Sequence, residues 1–443
     1  MEVEPAIDLS DTPNDMVGTE SIDELHPVWD NEDYKIWKKN SRYLYDILVA
    51  EEMEWPSLTV EWEIDLSNDG LIPKLVLGTQ STETNYVMVM ELKNMPSLID
   101  SNVNSEVAKK QYNHALGEVG SYGGTSDLQL FPKIKMVHEG DVNCARICPN
   151  NKFMIATTSS SGDVLVFDYS KHPSKPKEND LMSKPQYRCN GHSEEGFALC
   201  WDPHSPLRLL SGANDGKVCL FDLSQHAGAR IDNTIKLKPF KESSAHTGAV
   251  NDVDWHPSYA HLFASASDDG SVRLWDPREE LLVRSSNTEA HSGSRVNCVA
   301  FNKFNEYLLS SGGADGNVAL WDARNMNQAV KILPVPNQLK EEVSHVRWAR
   351  KSESETVIAS STRSGKVHVW DIRNIGNEAN GSEDTDNEVE VSPELIFTHA
   401  GHVGEVNDFS WQPSEDGWMI ASVDTSNYIQ FWKITEQFRK IDL

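Results

Sequence analysis

One dipeptide, an aromatic residue followed by aspartate, returns at a nearly fixed interval and constrains the whole architecture. It closes a segment at Phe167-Asp168, Phe221-Asp222, Trp275-Asp276, Trp321-Asp322 and Trp370-Asp371, at spacings of 54, 54, 46 and 49 residues, and a degenerate last copy ends at Phe431-Trp432. A short apolar run precedes each pair, as in Val218-Cys219-Leu220 and Val318-Ala319-Leu320. A tight-turn dipeptide precedes each run: Asp215-Gly216, Asp269-Gly270 and Asp315-Gly316, with Ser161-Gly162 and Ser364-Gly365 as variants. Asp-Gly between apolar runs marks a hairpin, because glycine accepts the positive φ that the turn demands. Further upstream a small residue stands before histidine, at Gly191-His192, Ala245-His246, Ala290-His291 and Gly401-His402, with His138 alone in the first copy.

A period of about 40–50 residues with four short strands per copy is the pattern of a β-propeller. The expected fold class is therefore all-β: a seven-bladed propeller over residues 55–435, with an N-terminal α-helix packed on its side. Five copies are clear, residues 395–433 give a weaker sixth, and residues 71–130 must supply one more. The alternating stretch Leu58-Thr59-Val60-Glu61-Trp62 is expected to be the outer strand of the last blade, closing the ring so that no sheet edge is left open.

Four segments fall outside the repeat. Residues 1–30 read as an acidic disordered tail, since residues 1–33 hold 11 acidic side chains and no lysine or arginine. Residues 31–50 read as a helix with Asp30 or Asn31 as its N-cap. Ile36, Trp37, Asn40, Leu44, Ile47 and Leu48 form its packing face, and Tyr34, Lys38, Tyr43 and Tyr45 its other edge. Residues 94–131 are a polar insertion. The loop 374–392 carries Glu378, Glu383, Asp384, Asp386, Glu388 and Glu390 without one basic residue.

Composition narrows the function classes. A formal net charge of −28 and a pI near 4.9 argue against direct nucleic-acid binding and against an anionic membrane, and favour a basic partner. The longest apolar run, Tyr86 to Met90, falls far short of the ~20 residues needed to span a bilayer. With no basic, apolar leader at Met1–Pro5, a soluble intracellular chain is expected. Six cysteines without a CxxC pair read as buried free thiols, and neither a metal nor a cofactor is expected. The glycine-rich stretch from Gly117 to Gly124 lacks the lysine of a phosphate loop. Asn380-Gly381-Ser382 is a chance sequon, and the basic segment Lys171–Lys177 reads as a solvated loop between blades.

His246, Ser265 and Asp269 in one copy, and His291, Ser311 and Asp315 in the next, hold every member of a hydrolase triad. Catalysis needs such a set once, whereas this one recurs in step with the repeat. It is expected to tie each blade together, aspartate to histidine, histidine to serine, and serine to the tryptophan indole. No enzyme activity is expected.

The repeat places the chain among WD-repeat proteins, and several motifs are more specific. They are Asp33-Tyr34-Lys35-Ile36-Trp37-Lys38-Lys39-Asn40, Leu44-Tyr45-Asp46, Glu54-Trp55-Pro56-Ser57-Leu58-Thr59, Leu77-Gly78-Thr79, Val166-Phe167-Asp168-Tyr169, Lys171-His172-Pro173-Ser174-Lys175-Pro176 and Pro393-Glu394-Leu395-Ile396-Phe397. In that order they resemble the retinoblastoma-binding, histone-chaperone WD-repeat family that includes the small subunit of chromatin assembly factor. The resemblance implies a non-catalytic histone-binding subunit and scaffold of chromatin assembly or modifying complexes, nuclear with a cytoplasmic pool. Implied partners are core histones three and four, and the larger subunits of assembly, acetyltransferase, deacetylase or methyltransferase complexes, in which the chain would be a single copy.

Two sites follow from the same resemblance. A side groove between the helix and the acidic loop would hold the first helix of histone four, using Trp37, Tyr43, Leu44, Ile47, Glu383, Asp384, Asp386, Glu388, Leu395 and Phe397. A top-face site would take the tail of histone three at Glu54, Asp141, Asn143, Glu195 and Phe197. The chain departs from the family pattern at Gln80, Cys144, Phe197, Asn251, Ser344 and Thr398. A different class of function is suggested by Trp275-Asp276-Pro277-Arg278, Trp321-Asp322-Ala323-Arg324 and Trp370-Asp371-Ile372-Arg373. These match the WDxR pattern with which substrate receptors dock on a cullin-type ubiquitin ligase.

Overall fold

The computed structural model describes residues 32–63, 72–93, 112–113, 118–119, 129–177, 181–205, 207–224, 230–231, 234–278, 281–336, 341–351, 354–376, 392–413 and 417–439. Seven sheets ring one channel, and their innermost strands are Val60–Trp62, Val142–Ile147, Ala198–Trp201, Val250–Trp255, Val296–Phe301, Val343–Trp348 and Val406–Trp411. Blades one to seven are numbered in that order. Each steps outward through antiparallel pairs, as in blade four, where Phe263–Ser267 pairs Val272–Asp276 and that strand pairs Leu282–Asn287. Blade two alone is wider, because Thr234–Leu237 adds in parallel to its outer strand Tyr187–Cys189.

The middle strands do not alternate buried and exposed residues. Phe263–Ser267 and Val357–Thr362 are buried at every position, because each blade is covered by a neighbour on both faces. The core accordingly lies between blades. Leu210, Val218 and Leu220 of blade three meet Val250, Val253, Trp255 and Trp275 of blade four in one cluster.

The turns form as expected, with Gly162, Gly216, Gly270, Gly316 and Gly365 all at φ of 72–83°. In blade seven Asn427 takes the left-handed position at φ 66°, a conformation asparagine tolerates better than most residues. The recurring polar set also forms. In blade four His246 meets Asp269 at 2.9 Å and Ser265 at 2.7 Å, and the Trp275 indole donates to Ser265 at 2.7 Å. Blade five repeats this with His291, Asp315, Ser311 and Trp321. The copy that reads as degenerate is complete as well: His402, Asp424, Ser422 and Trp432 are linked at 2.6–3.0 Å.

Two expectations are corrected. The helix does not run from 31 to 50: α1 (Glu32–Leu44) stops, and Tyr45–Glu52 is a strand paired with Tyr428–Ile434. Its centre, Ile47, Leu48 and Val49, is buried on both faces, which a helix lying on the surface does not permit. That strand, rather than residues 58–62, is the outer strand of blade seven. Val60–Trp62 is instead the innermost strand of blade one. The two termini of the ring thus share one sheet, and no blade needs an open edge at the junction.

Closure by one eight-residue strand makes its core side chains costly to shorten. Leu48→Ala is expected to destabilise the protein by about 2–4 kcal/mol in denaturant unfolding. A cost below about 0.5 kcal/mol would mean that this strand does not hold the ring.

Candidate functional site

α1 carries two stripes at helical spacing. Trp37, Ser41 and Leu44 turn toward the propeller, and Ser41 is fully buried. Ile36 and Tyr43, one residue behind on the helix, lie on the outward stripe and are 58% and 59% exposed. Ile36, expected on the packing face, therefore belongs to the exposed one.

The seat of α1 is built by the outer strand of blade six, Leu395–His399, and the closing strand. The Trp37 indole donates to Tyr45 Oη at 2.7 Å, and Tyr45 Oη lies 2.7 Å from His399 Nδ1. Since Tyr45 accepts from Trp37, its own proton goes to His399. Burial keeps both groups neutral, raising the Tyr45 hydroxyl and holding His399 well below the usual histidine range. His399 stacks flat on Trp432, with ring centroids 4.4 Å apart, so the helix is joined to the polar set of blade seven. Below it, Phe397 packs edge-on to Tyr45 at 5.3 Å and against Phe438 at 5.7 Å. The short α2 (Glu436–Arg439) locks the far end, where Arg439 pairs with Asp46 at 2.5 Å.

The groove residues separate accordingly. Trp37, Leu44 and Phe397 share one cluster with Tyr45 and Trp432, and Ile396 joins it. Ile47 does not; it packs on Trp62 and Leu75 between blades seven and one. Leu395 turns into the cluster of Trp348 and Trp370. A bulge explains why Ile396 was missed. Val369 pairs Phe397 and Trp370 pairs Leu395, so Ile396 is the extra residue and the alternation slips.

Glu383, Asp384, Asp386 and Glu388 lie outside the described residues, as do the acidic tail and residues 94–111 of the insertion. The stems of the acidic loop are described. Asn374 Nδ2 donates to Pro393 O at 3.1 Å, and the fully buried Glu394 pairs with Lys331 at 2.7 Å. The returning chain continues directly into Leu395–His399, the strand that seats α1.

On the top face Glu54 and Phe197 are exposed, and Asp141 and Glu195 are half-buried. Asp141 accepts from Asn85 at 2.9 Å. Asn143 is buried and its amide reaches Gly196 O, 3.3 Å away in blade three. Asn251, Asn297 and Asn407 bridge to the next blade in the same way, each at 2.9 Å. Asn143 is thus a tie between blades rather than a free ligand for a tail.

Three family models match the chain. Residues 32–96 match the model described as histone-binding protein RBBP4, or the C subunit of the CAF1 complex. Residues 132–168, 183–222 and 232–276 match the WD domain, G-beta repeat, and residues 283–392 are similar to the N-terminal domain of nucleolar protein 10-like proteins. The first of these spans α1, the closing strand and the inner strands of blade one, the segment that distinguishes this propeller from a plain repeat. Residues 32–96 are thus similar to the histone-binding segment of RBBP4-like proteins, and the repeats that follow are similar to the WD domain. Together these matches support a histone-binding WD-repeat scaffold.

The charged channel is a structural device of the ring. Each innermost strand has backbone N–H groups facing the axis with no further strand to accept them. Carboxylates supply the acceptors: Glu61 for Ile147, Asp252 for Val299, Asp254 for Phe301 and Asp408 for Val60, at 2.6–3.1 Å. Asp408 is also clamped by Arg146 at 3.1 Å and Arg347 at 2.9 Å. Those guanidiniums offset its desolvation and keep its carboxyl well below the ordinary range. The lower channel is a cavity of about 200 Å3. The six cysteines are free; five are buried and Cys200 is partly so, and burial pushes Cys144 up to about 11. Among the described residues, no cluster of histidine, cysteine and carboxylate is placed to hold a metal.

The WDxR arginines are committed within their own turns. Arg278, Arg324 and Arg373 each chelate the preceding aspartate, with Nη2 2.6 Å from Asp276, Asp322 and Asp371 respectively.

Asp252 and Asp254 lack such a clamp, and burial raises each to about 6. A carboxyl raised in the folded state costs stability above that pH, and the cost fades as pH falls toward 3.8. Asp254→Asn keeps an acceptor for Phe301 and removes the charge. It should stabilise the protein by about 1–2 kcal/mol at pH 7.5, and the gain should vanish by about pH 4.5. Thermal unfolding across that range checks this, and a gain independent of pH would contradict it.

Proposed function

We propose that this protein acts without catalysis as a nuclear histone-binding subunit of chromatin assembly or modifying complexes. It holds the first helix of histone four between α1 and the acidic loop 374–392. The observation that carries this reading is the outward stripe of α1. Ile36 and Tyr43 stand about two helical turns apart, both more than half exposed, on a helix whose inner stripe is packed against the propeller. An exposed apolar pair on a rigid helix suits an amphipathic partner helix. The loop that leads into the strand seating α1 carries six carboxylates and no cation, which favours a partner with lysine or arginine along one edge.

The top face would serve a second, weaker contact. Glu54, Asp141 and Glu195 at one end of the channel would draw a basic histone-three tail, with Phe197 as a flat apolar surface beside them. Asn143 takes no part, its amide being engaged with Gly196. The larger subunits of assembly, acetyltransferase, deacetylase or methyltransferase complexes would be the remaining partners. Docking on a cullin-type ligase gains no support from the WDxR arginines, since each is chelated by its own aspartate.

Titration of a peptide spanning the first helix of histone four tests the groove. Ile36→Asp with Tyr43→Ala should weaken binding by about 1.4 kcal/mol or more, at least tenfold. The melting midpoint should hold, because exposed substitutions usually change stability by less than ~0.5 kcal/mol. Replacing Glu383, Asp384, Asp386 and Glu388 by amides should lower both the affinity and its dependence on salt. Wild-type affinity in both variants would sink the reading.

A further inference from the structure

The residue before the repeat histidine is not the same in every blade, and in blade seven it meets α1. Blade three has Gly191, where a Cβ would meet Pro239, Cys219 and Phe221, but blades four and five place alanine there, at Ala245 and Ala290, and the first copy has Val137 before His138. The repeat itself therefore accepts a side chain at this position. Blade seven has Gly401, and its backbone lies outside the left-handed region that would demand glycine.

What excludes a side chain at Gly401 is Trp37. A Cβ built there would stand 2.6 Å from Trp37 Cζ2 and 2.7 Å from Cη2. It would also stand 2.7 Å from Gln430 Oε1, while Gln430 Nε2 donates to Gly401 O at 2.7 Å. The benzo edge of the indole thus occupies the volume that a methyl group fills in blades four and five. Indole Nε1 at the other edge reaches Tyr45, and its face meets His399 edge-on at 5.6 Å. Trp37 is held on three sides, and the floor is an absent side chain.

We infer that Gly401 is a positioning residue for ligand binding: it seats Trp37 and so fixes the height of α1 above blade six. This rests on the reading of α1 as one wall of the histone groove. Even a methyl group at 401 lifts the helix, because protein interiors leave no slack at such distances. Blades four and five carry that methyl within the repeat, and in blade seven the nearest obstacles to it are the Trp37 indole and the side-chain oxygen of Gln430.

The test is Gly401→Ala in the full chain, with two readouts. Hydrogen exchange reports the seat without any ligand; amides of 36–44 should exchange about tenfold faster while blades one to five keep their protection. Titration of the histone-four helix peptide reports function, and affinity should fall about tenfold, or about 1.4 kcal/mol. Trp37→Phe removes Cζ2 and Cη2 and supplies the control. Alone it loosens α1, but combined with Gly401→Ala the methyl refills the vacated space. The double variant should then exchange more slowly than Gly401→Ala, a non-additive coupling expected only of touching residues. Unchanged exchange in Gly401→Ala would overturn the inference. So would a general loss of protection in every blade that Trp37→Phe fails to restore, since Gly401 would then be a glycine of the fold. Faster exchange with full peptide affinity would keep the seat and overturn the groove reading instead.

Discussion

The pairing of Tyr45–Glu52 with Tyr428–Ile434 is the constraint on which the rest depends. A propeller is a ring of sheets, each covered by its neighbours, so the first and last blades are stable only if they are joined. Here the join uses a strand from the beginning of the described chain as the outermost member of the last blade, so closure is made by backbone hydrogen bonds as well as by side-chain packing. The same pairing delivers α1. Because the helix ends where the strand begins, α1 has to lie at the seam of blades six and seven. Closure and placement of the candidate site are therefore one event, and what weakens the first disturbs the second.

Polar contacts organise the ring in two layers. Inside blades four, five and seven, histidine, serine and tryptophan form a short chain of bonds that a buried site can hold only when every member finds a partner. At the axis, carboxylates from one blade accept N–H groups of the next, and near the top rim the asparagines reach across in the same sense. The channel charges are thereby matched: Asp408 between two arginines, Glu61 near Arg350. An acidic protein with balanced charge at its axis carries its excess negative potential elsewhere, which suits a basic partner bound at the periphery.

Much of the fold was legible in the sequence, because a propeller writes the same instructions repeatedly. The Asp-Gly turns, the aromatic–aspartate pairs and the histidines gave the blade number and the internal bonding. The boundary at Leu44 was not legible. Tyr45, Ile47, Leu48 and Val49 satisfy a helical stripe and a two-sided buried strand equally well, and only the partner strand decides between them. Val60–Trp62 was misplaced for the same reason, since an innermost and an outermost strand look alike when both are apolar. Of the candidate groove residues, Trp37, Leu44 and Phe397 lie in the quoted motifs and share one cluster, and Tyr43 stands exposed on the outer stripe. Ile36 and Ile47 were exchanged as a consequence of the helix boundary. Ile396 was hidden by a bulge, which no periodicity reveals. Gly401 reads like the repeat residue Gly191, and only the contact of its position with Trp37 in the fold tells the two apart.

The proposed function requires that α1 and the strand that seats it form the principal histone-binding wall. Its most direct test is a hydrogen-exchange footprint of the full chain with and without a histone three–histone four heterodimer. Slowed exchange in residues 32–44 and 392–399, with smaller changes around Glu54, Asp141 and Glu195, is the predicted result. Protection confined to the top face, with 32–44 exchanging as in the free protein, would contradict it.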